Sequence, residues 1–237
     1  MDKARVLLVS PTETECAPIL RKTAGCKSTL PWLYAGNLQG QSVEILISGI
    51  GVVATTFRLT QTLMSHSYSR AISMGIAGSF TDDIPVGEVV QITEDGFADL
   101  GIDNNGTFLN LREAGIINSE DYFPDFITNP SPTPSFHRKV RGVTVQTATG
   151  SQKRTDELIN KYQPKVETME NAAFFYVCHT MQIPFASFRA ISNKVEPRNR
   201  KNWRTVEAIE QINYEMSKVL FEDKSNFFFN PVVGSQI

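Results

Sequence analysis

Two short acidic segments carry the residue types that could do chemistry in this chain. Glu13 and Glu15 stand just past the apolar run Arg5-Val6-Leu7-Leu8-Val9-Ser10, and Glu167 and Glu170 stand at the head of the apolar stretch Met169 to Met181. A carboxylate beyond the C-terminal end of a buried strand sits where an open α/β sheet gathers its ligand loops. One at the head of a helix is stabilised by the helix dipole, whether or not it meets a substrate. Taken singly, each acid reads as a capping charge. Gathered in one cleft, two of them would supply a general base and a stabiliser of developing positive charge. A third segment, Arg189-Ala190-Ile191-Ser192-Asn193, ends a buried strand and leads into Pro197-Arg198-Asn199-Arg200. It puts a polar amide and two cations at another strand edge.

Other candidate groups carry less. Gly49-Ile50-Gly51-Val52-Val53-Ala54 has the G-x-G-x-x-A outline of a dinucleotide-binding turn. The acid expected about 20 residues further on is missing, since the chain there reads Ser69-Arg70-Ala71-Ile72-Ser73-Met74. The glycines therefore predict a tight turn and close helix packing, with backbone open to some other ligand, and NAD is rejected. His66, His137 and His179 lie far apart, without metal-like or triad-like spacing, and each reads as a surface or core residue. Cys16, Cys26 and Cys178 form an odd set without a CxxC pair, which argues against a disulfide framework and a cysteine-built zinc site. All three read as packing positions in a reducing compartment, with Cys178 an inert thiol inside an apolar helix.

A chain of 237 residues buries a sizeable core without disulfide or metal staples. Lys+Arg 23 against Asp+Glu 25 leaves a net charge of −2, so the basic excess of a general nucleic-acid binder is lacking. The longest apolar run, Ala172 to Cys178, is far short of the ~18 residues a membrane span needs. Met1-Asp2-Lys3-Ala4-Arg5 shows no secretory pattern, and the expected location is the cytoplasm.

These side chains must be held by alternating strands and helices. Strands are predicted for Arg5 to Ser10, Trp32 to Leu38, Ser42 to Ser48, Arg70 to Ile76, Gly87 to Thr93, Val140 to Thr147 and Pro184 to Ile191. Helices are predicted from Val52 to about His66, over Ser151 to Tyr162 and Met169 to Met181, and as an amphipathic closing helix from Trp203 to Phe221. Residues 101–135 lose periodicity and gather Gly, Asn and Pro, which reads as an irregular excursion from one domain spanning 1–237. The alternation implies a layered α/β fold around a largely parallel sheet.

In this order the segments resemble the nucleoside phosphorylase/hydrolase family. The matching pieces are Pro11-Thr12-Glu13-Thr14-Glu15, Ser48-Gly49-Ile50-Gly51, Gly75-Ile76-Ala77-Gly78, Phe97-Ala98-Asp99-Leu100-Gly101, Val166-Glu167-Thr168-Met169-Glu170 and Arg189 to Asn193. Within that family the likeness is to its methylthioadenosine/S-adenosylhomocysteine nucleosidase branch, and there to the futalosine hydrolases. The resemblance implies a three-layer α/β/α fold with a mixed, largely parallel sheet, and hydrolysis of a purine N-ribosyl bond without metal or cofactor. Glu15 is then similar to the acid that activates water, with Glu13 as its rival. By the same resemblance Glu170 is similar to the carboxylate that holds the ribose hydroxyls, Met169 is expected against the sugar, and Gly51, Ala77 and Gly78 are expected to line the substrate site. A homodimer or larger assembly is the family precedent.

Position 193 departs from the adenine-specific members, which carry an aspartic acid there. A 6-oxopurine offers N7 and O6, two adjacent acceptors, to which the Asn193 amide donates and which a carboxylate would repel. Arg198 and Arg200 are expected to meet a carboxylate at the far end of a futalosine-like substrate. Asn171 and Asn199 also depart from the family pattern, standing where a glycine and an acid are expected. The alternatives are an adenine-type nucleosidase acting on methylthioadenosine, adenosylhomocysteine or aminofutalosine, a phosphorylase, and a non-catalytic nucleoside-binding protein.

Overall fold

The computed structural model describes residues 5–23, 25–28, 30–38, 40–118, 125–129 and 136–221. Residues 1–4, read above for a leader, and prolines 124, 130, 132 and 134 of the excursion lie outside them. The strands are β1 (Val6–Ser10), β2 (Cys26–Lys27), β3 (Leu33–Leu38), β4 (Gln41–Ile47), β5 (Arg70–Ser79), β6 (Val89–Asp95), β7 (Gly101–Asn104), β8 (Thr107–Asn110), β9 (Ile127–Thr128), β10 (Arg138–Thr144), β11 (Val166–Thr168) and β12 (Phe185–Lys194). The helices are α1 (Glu13–Lys22), α2 (Val52–Ser65), α3 (Gln152–Tyr162), α4 (Asn171–Thr180) and α5 (Thr205–Phe221).

The main sheet runs in the order β11-β10-β6-β12-β5-β1-β4-β3-β2. It is parallel across β4, β1, β5 and β12, and again across β6, β10 and β11. It turns antiparallel where β12 meets β6 and in the β2-β3-β4 edge. An antiparallel pairing of β11 with β5 closes β5, β12, β6, β10 and β11 into a ring.

Alternation along β1 shows why helices cover both faces. Leu7 and Val9 point into one core with Leu59 and Leu63 of α2 and Phe174 and Phe175 of α4. Val6 and Leu8 point into the other, with Cys16 and Ile19 of α1 and Ala208, Ile212 and Met216 of α5. A strand buried on both faces reads as a continuous apolar run, as β1 does. A smaller cluster of Ala98, Val143, Val145, Leu158 and Tyr162 seats α3.

Several expectations need correcting. β5 runs on through Gly75 and Gly78 to Ser79, because β12 pairs with it that far. Asn193 lies within β12 and does not follow it. Val166–Thr168 is a strand in its own right, held between β10 and β5. Part of the excursion is regular, the two-stranded β7–β8 ribbon. Cys26 is exposed on edge strand β2, so it is not a packing residue.

Candidate active site

β1, β5 and β12 run parallel, and their C-terminal ends open onto a cavity of about 280 Å³. Glu15, Ala77, Gly78, Met169, Glu170 and Asn193 all line it. Residues from both ends of the chain are thus collected at one sheet edge, where ligands bind in open α/β sheets.

Glu15 belongs to a Thr-x-x-Glu capping sequence. Thr12 is the N-cap of α1, and its hydroxyl oxygen accepts from Glu15 N–H at 3.2 Å. In the reciprocal arrangement the Glu side chain would return to the backbone N–H of the cap. Here it turns into the cavity instead. Thr12 Oγ1–H donates to Oε1 at 2.8 Å, and Ile76 N–H donates to Oε2 at 3.0 Å. Gly75 makes this approach feasible, since a Cβ there would lie 2.7 Å from Glu15 Oε2. Burial pushes the Glu15 carboxyl up, opposed by Thr12, by the Ile76 amide and by the charge of Arg189. Glu13, in the same first turn of α1, is exposed and accepts a hydrogen bond from Tyr34 Oη, so it faces away from the cavity.

Glu170 occupies the N-cap position of α4 yet makes no capping bond with its side chain. Its Oε1 accepts from Gly51 N–H at 2.9 Å. Gly51 holds φ at 87°, a conformation that glycine adopts without steric cost. The second glycine of the G-x-G-x-x-A turn therefore serves a carboxylate of the protein itself. Burial raises the Glu170 carboxyl, opposed by the Gly51 amide and Arg189 and reinforced by Glu15. Each acid is about nine-tenths buried, with Glu15 at 9 % and Glu170 at 8 % exposure.

The countercharge is Arg189, which is fully buried in β12. Its guanidinium donates to Phe188 O and Ser73 Oγ at 2.9 Å and to Ser187 Oγ at 3.1 Å. Burial works against its positive charge, while Glu170, Glu15 and Asp95 support it. A buried cation near several acids offsets part of the cost of ionising the two cavity carboxylates, a cost that isolated buried acids bear in full. The arrangement can deprotonate a water molecule on one side of a ligand and stabilise positive charge on the other.

The family model for the phosphorylase superfamily matches residues 5–222. The chain belongs to the phosphorylase superfamily. A relative within it is the futalosine hydrolase of Thermus thermophilus, 28% identical over 222 residues, covering 92% of this chain and 96% of that protein. Among solved structures, a 5'-methylthioadenosine/S-adenosylhomocysteine nucleosidase of Helicobacter pylori superposes with a TM-score of 0.79 at 15% identity, over 94% of this chain and 100% of that one. The futalosine hydrolase of Helicobacter pylori gives 0.77 at 15% identity, over 93% and 98%. At that identity the superpositions establish the fold: the three-layer α/β/α architecture expected from the sequence.

Within this phosphorylase-superfamily fold, the remaining expected residues separate. Asn193 pairs with Gly78 across a register shift after Ile191, and such an irregularity re-aims a side chain. Its Oδ1 accepts from Ser192 Oγ at 2.7 Å and its Nδ2 donates to Lys194 O at 2.8 Å, which leaves one amide hydrogen for a ligand. Arg198 lines the cavity and lies over the Trp203 ring at 5.7 Å. Arg200 opens a one-turn 3₁₀ segment, Arg200–Asn202, and is exposed away from the cavity lining. Glu167 lines the cavity too, but its Oε1 accepts from Thr149 N–H at 3.0 Å and so anchors the loop after β10. Arg189 went unassigned in the sequence, although a lone cation inside Phe188-Arg189-Ala190-Ile191 was a signal, because a charge in a buried strand needs partners.

Proposed function

We propose that this protein hydrolyses the N-glycosidic bond of futalosine, releasing hypoxanthine and dehypoxanthine futalosine, as a cytoplasmic step in menaquinone biosynthesis. The observation that carries the reading is the site itself: two buried carboxylates, Glu15 and Glu170, lie near one buried cation and share one cavity with an amide, Asn193. Cleavage of a glycosidic bond builds positive charge on the ribose and negative charge on the departing base. Glu170 faces the sugar hydroxyls and stabilises the cation-like ribose, with Met169 against the ring. Glu15 takes the proton from the attacking water, a general-base contribution of about 10²–10⁴-fold. Asn193 donates to the N7/O6 edge, and hypoxanthine departs as an anion with its charge spread onto O6. It then takes a proton from solvent, while Glu15 returns to solvent the proton it removed from water. Arg198, stacked with Trp203 at the cavity wall, is the cation for the aromatic carboxylate at the 5' end.

Incubation with futalosine, aminofutalosine, inosine and methylthioadenosine in phosphate-free buffer, with free base read by chromatography, tests this reading. Hypoxanthine release from futalosine without phosphate is expected. Preferential release of adenine from the amino substrates would move the protein to the methylthioadenosine-type reading, and a phosphate requirement would make it a phosphorylase.

The same proposal includes a homodimer. Ile50, Val53, Phe57 and Met64 are 61–76 % exposed and recur along one stripe of α2 and the turn before it. Such a stripe marks an interaction surface. Ile50 also lines the cavity, so a second copy on this stripe meets the site mouth. Sedimentation of the wild type is expected to give a dimer and that of Val53→Asp/Phe57→Asp a monomer; a monomeric wild type would refute this assembly.

A further inference from the structure

Behind Arg189 runs a chain of buried polar side chains that the hydrolase mechanism leaves unused. Arg189 Nη1 donates to Ser187 Oγ at 3.1 Å, Ser187 Oγ donates to Asn171 Oδ1 at 2.5 Å, and Asn171 Nδ2 donates to Asp95 Oδ2 at 2.8 Å. From the other side Thr144 Oγ1 donates to Asp95 Oδ1 at 2.9 Å and accepts from Ala172 N–H at 2.8 Å. Arg189, Ser187, Asn171, Asp95 and Thr144 are all fully buried. Each hydroxyl has a single proton and each amide one donor end, so the chain has one polarity, with every proton directed from the guanidinium toward Asp95.

Asn171 is the member that joins Asp95 to Ser187. Near the cavity, Arg189 Nε is buried and without a partner among the described residues. It borders the gap left by Gly75: a Cβ there would lie 2.7 Å from Glu15 Oε2 and 3.4 Å from Arg189 Nε. The angle of the guanidinium therefore decides how its charge and its Nε–H are presented to Glu15.

We propose that Asn171 is a positioning residue for the two cavity carboxylates: by tying Ser187 to Asp95 it fixes the Arg189 guanidinium against Glu15 and Glu170. The inference rests on the reading of Glu15 as the base. Without Asn171 the Ser187 hydroxyl loses its acceptor and can turn. Arg189 then keeps its bonds to Phe188 O and Ser73 Oγ and stays in the core, while its third hold, through Ser187, loosens. The groups facing Glu15 are Arg189 from β12, Glu170 from the head of α4 and Cys16 from its own helix, while Glu13 is turned toward Tyr34; Asp95 of β6 acts through Arg189. Weakening the one cation among them favours the protonated form of Glu15, so the acid limb of the rate profile moves to higher pH.

The test uses Asn171→Ala, Ser187→Ala and the double variant. Futalosine hydrolysis is followed from pH 4 to 9, and the Glu15 carboxyl is titrated by NMR in protein labelled at glutamate carboxyl carbons, with Glu15→Gln giving the assignment. Each single variant is expected to lose about tenfold to a hundredfold in kcat with KM within about threefold. The acid limb and the Glu15 titration should both rise, and the double variant should lose little more than either single one, because the chain acts as a unit. An unmoved limb and titration, or losses that multiply, would overturn the proposal. Should Asn171→Ala fail to fold, Ser187→Ala, which removes only a hydroxyl, decides the question with the same measurements. A wild type that releases no base defeats the hydrolase reading, and the NMR titration then decides the positioning role by itself.

Discussion

A methyl group at position 75 should separate folding from chemistry. Gly75 lies in β5 beneath Glu15, and a Cβ built there falls 2.7 Å from Glu15 Oε2, 3.3 Å from Pro11 Cδ and 3.4 Å from Arg189 Nε. Pro11 and Arg189 block retreat on two sides, so Gly75→Ala forces the carboxylate away by roughly 0.7 Å to reach ordinary contact. That shift strains the Ile76 N–H bond, now 3.0 Å, and carries Oε2 off the place where it meets water. Misplacing a reacting group by about 1 Å costs on the order of 10²-fold, so kcat should fall about 30- to 100-fold, or ~2–3 kcal/mol of barrier. KM should hold, because Glu170 and Asn193 are untouched. Overpacking costs ~1–3 kcal/mol, and for a chain of this length that lowers Tm by roughly 3–10 °C, leaving a folded protein. Gly150→Ala is the control, since its new methyl meets only Arg198 Cβ, at 3.7 Å. Hypoxanthine release and a thermal melt read the outcome. A Gly75→Ala enzyme turning over within threefold of wild type would refute both the crowding and the role of Glu15.

Glu15→Gln and Glu170→Gln should each nearly abolish hydrolysis while circular dichroism stays native; full turnover by Glu15→Gln would move the base to another group. Asn193→Asp should lower activity on futalosine and raise relative activity on aminofutalosine, because a carboxylate repels O6 but can protonate N7; an unchanged ratio would remove this side chain from base recognition. Arg198→Ala should raise KM for futalosine about tenfold or more with little effect on inosine, from a charge-assisted contact of ~1.5–3 kcal/mol, whereas Arg200→Ala should leave both substrates alone. Burial pushes the Asp95 carboxyl up to about 7. The native state then holds a proton that the unfolded chain releases near pH 4, so this contribution is complete below that and is lost as pH rises through about 7. Urea midpoints between pH 5 and 8 should therefore flatten in Asp95→Asn; a slope equal to wild type would place the proton elsewhere.

The features legible in the sequence were local ones. Apolar runs without alternation specified strands covered on both faces, as Val6 to Ser10 is, and the 3.6-residue pattern specified α2, α3 and α5. The order of short motifs carried the family, and with it Glu15, Glu170 and Asn193 as a set. Sequence could not separate Glu13 from Glu15, because both fit the first turn of α1. The tertiary structure separates them: Tyr34 from β3 engages Glu13, while Ile76 from β5 engages Glu15. Likewise Arg198 and Arg200 are equivalent on paper, and only the path of the loop puts Arg198 on the cavity. The chain Asp95–Asn171–Ser187–Arg189 joins residues of β6, α4 and β12, with no pattern along the sequence to announce it. A strand or helix is written in the spacing of its own side chains. A charge buried in a sheet is written only in which strands become neighbours, and the β11–β5 and β12–β5 pairings decided that here.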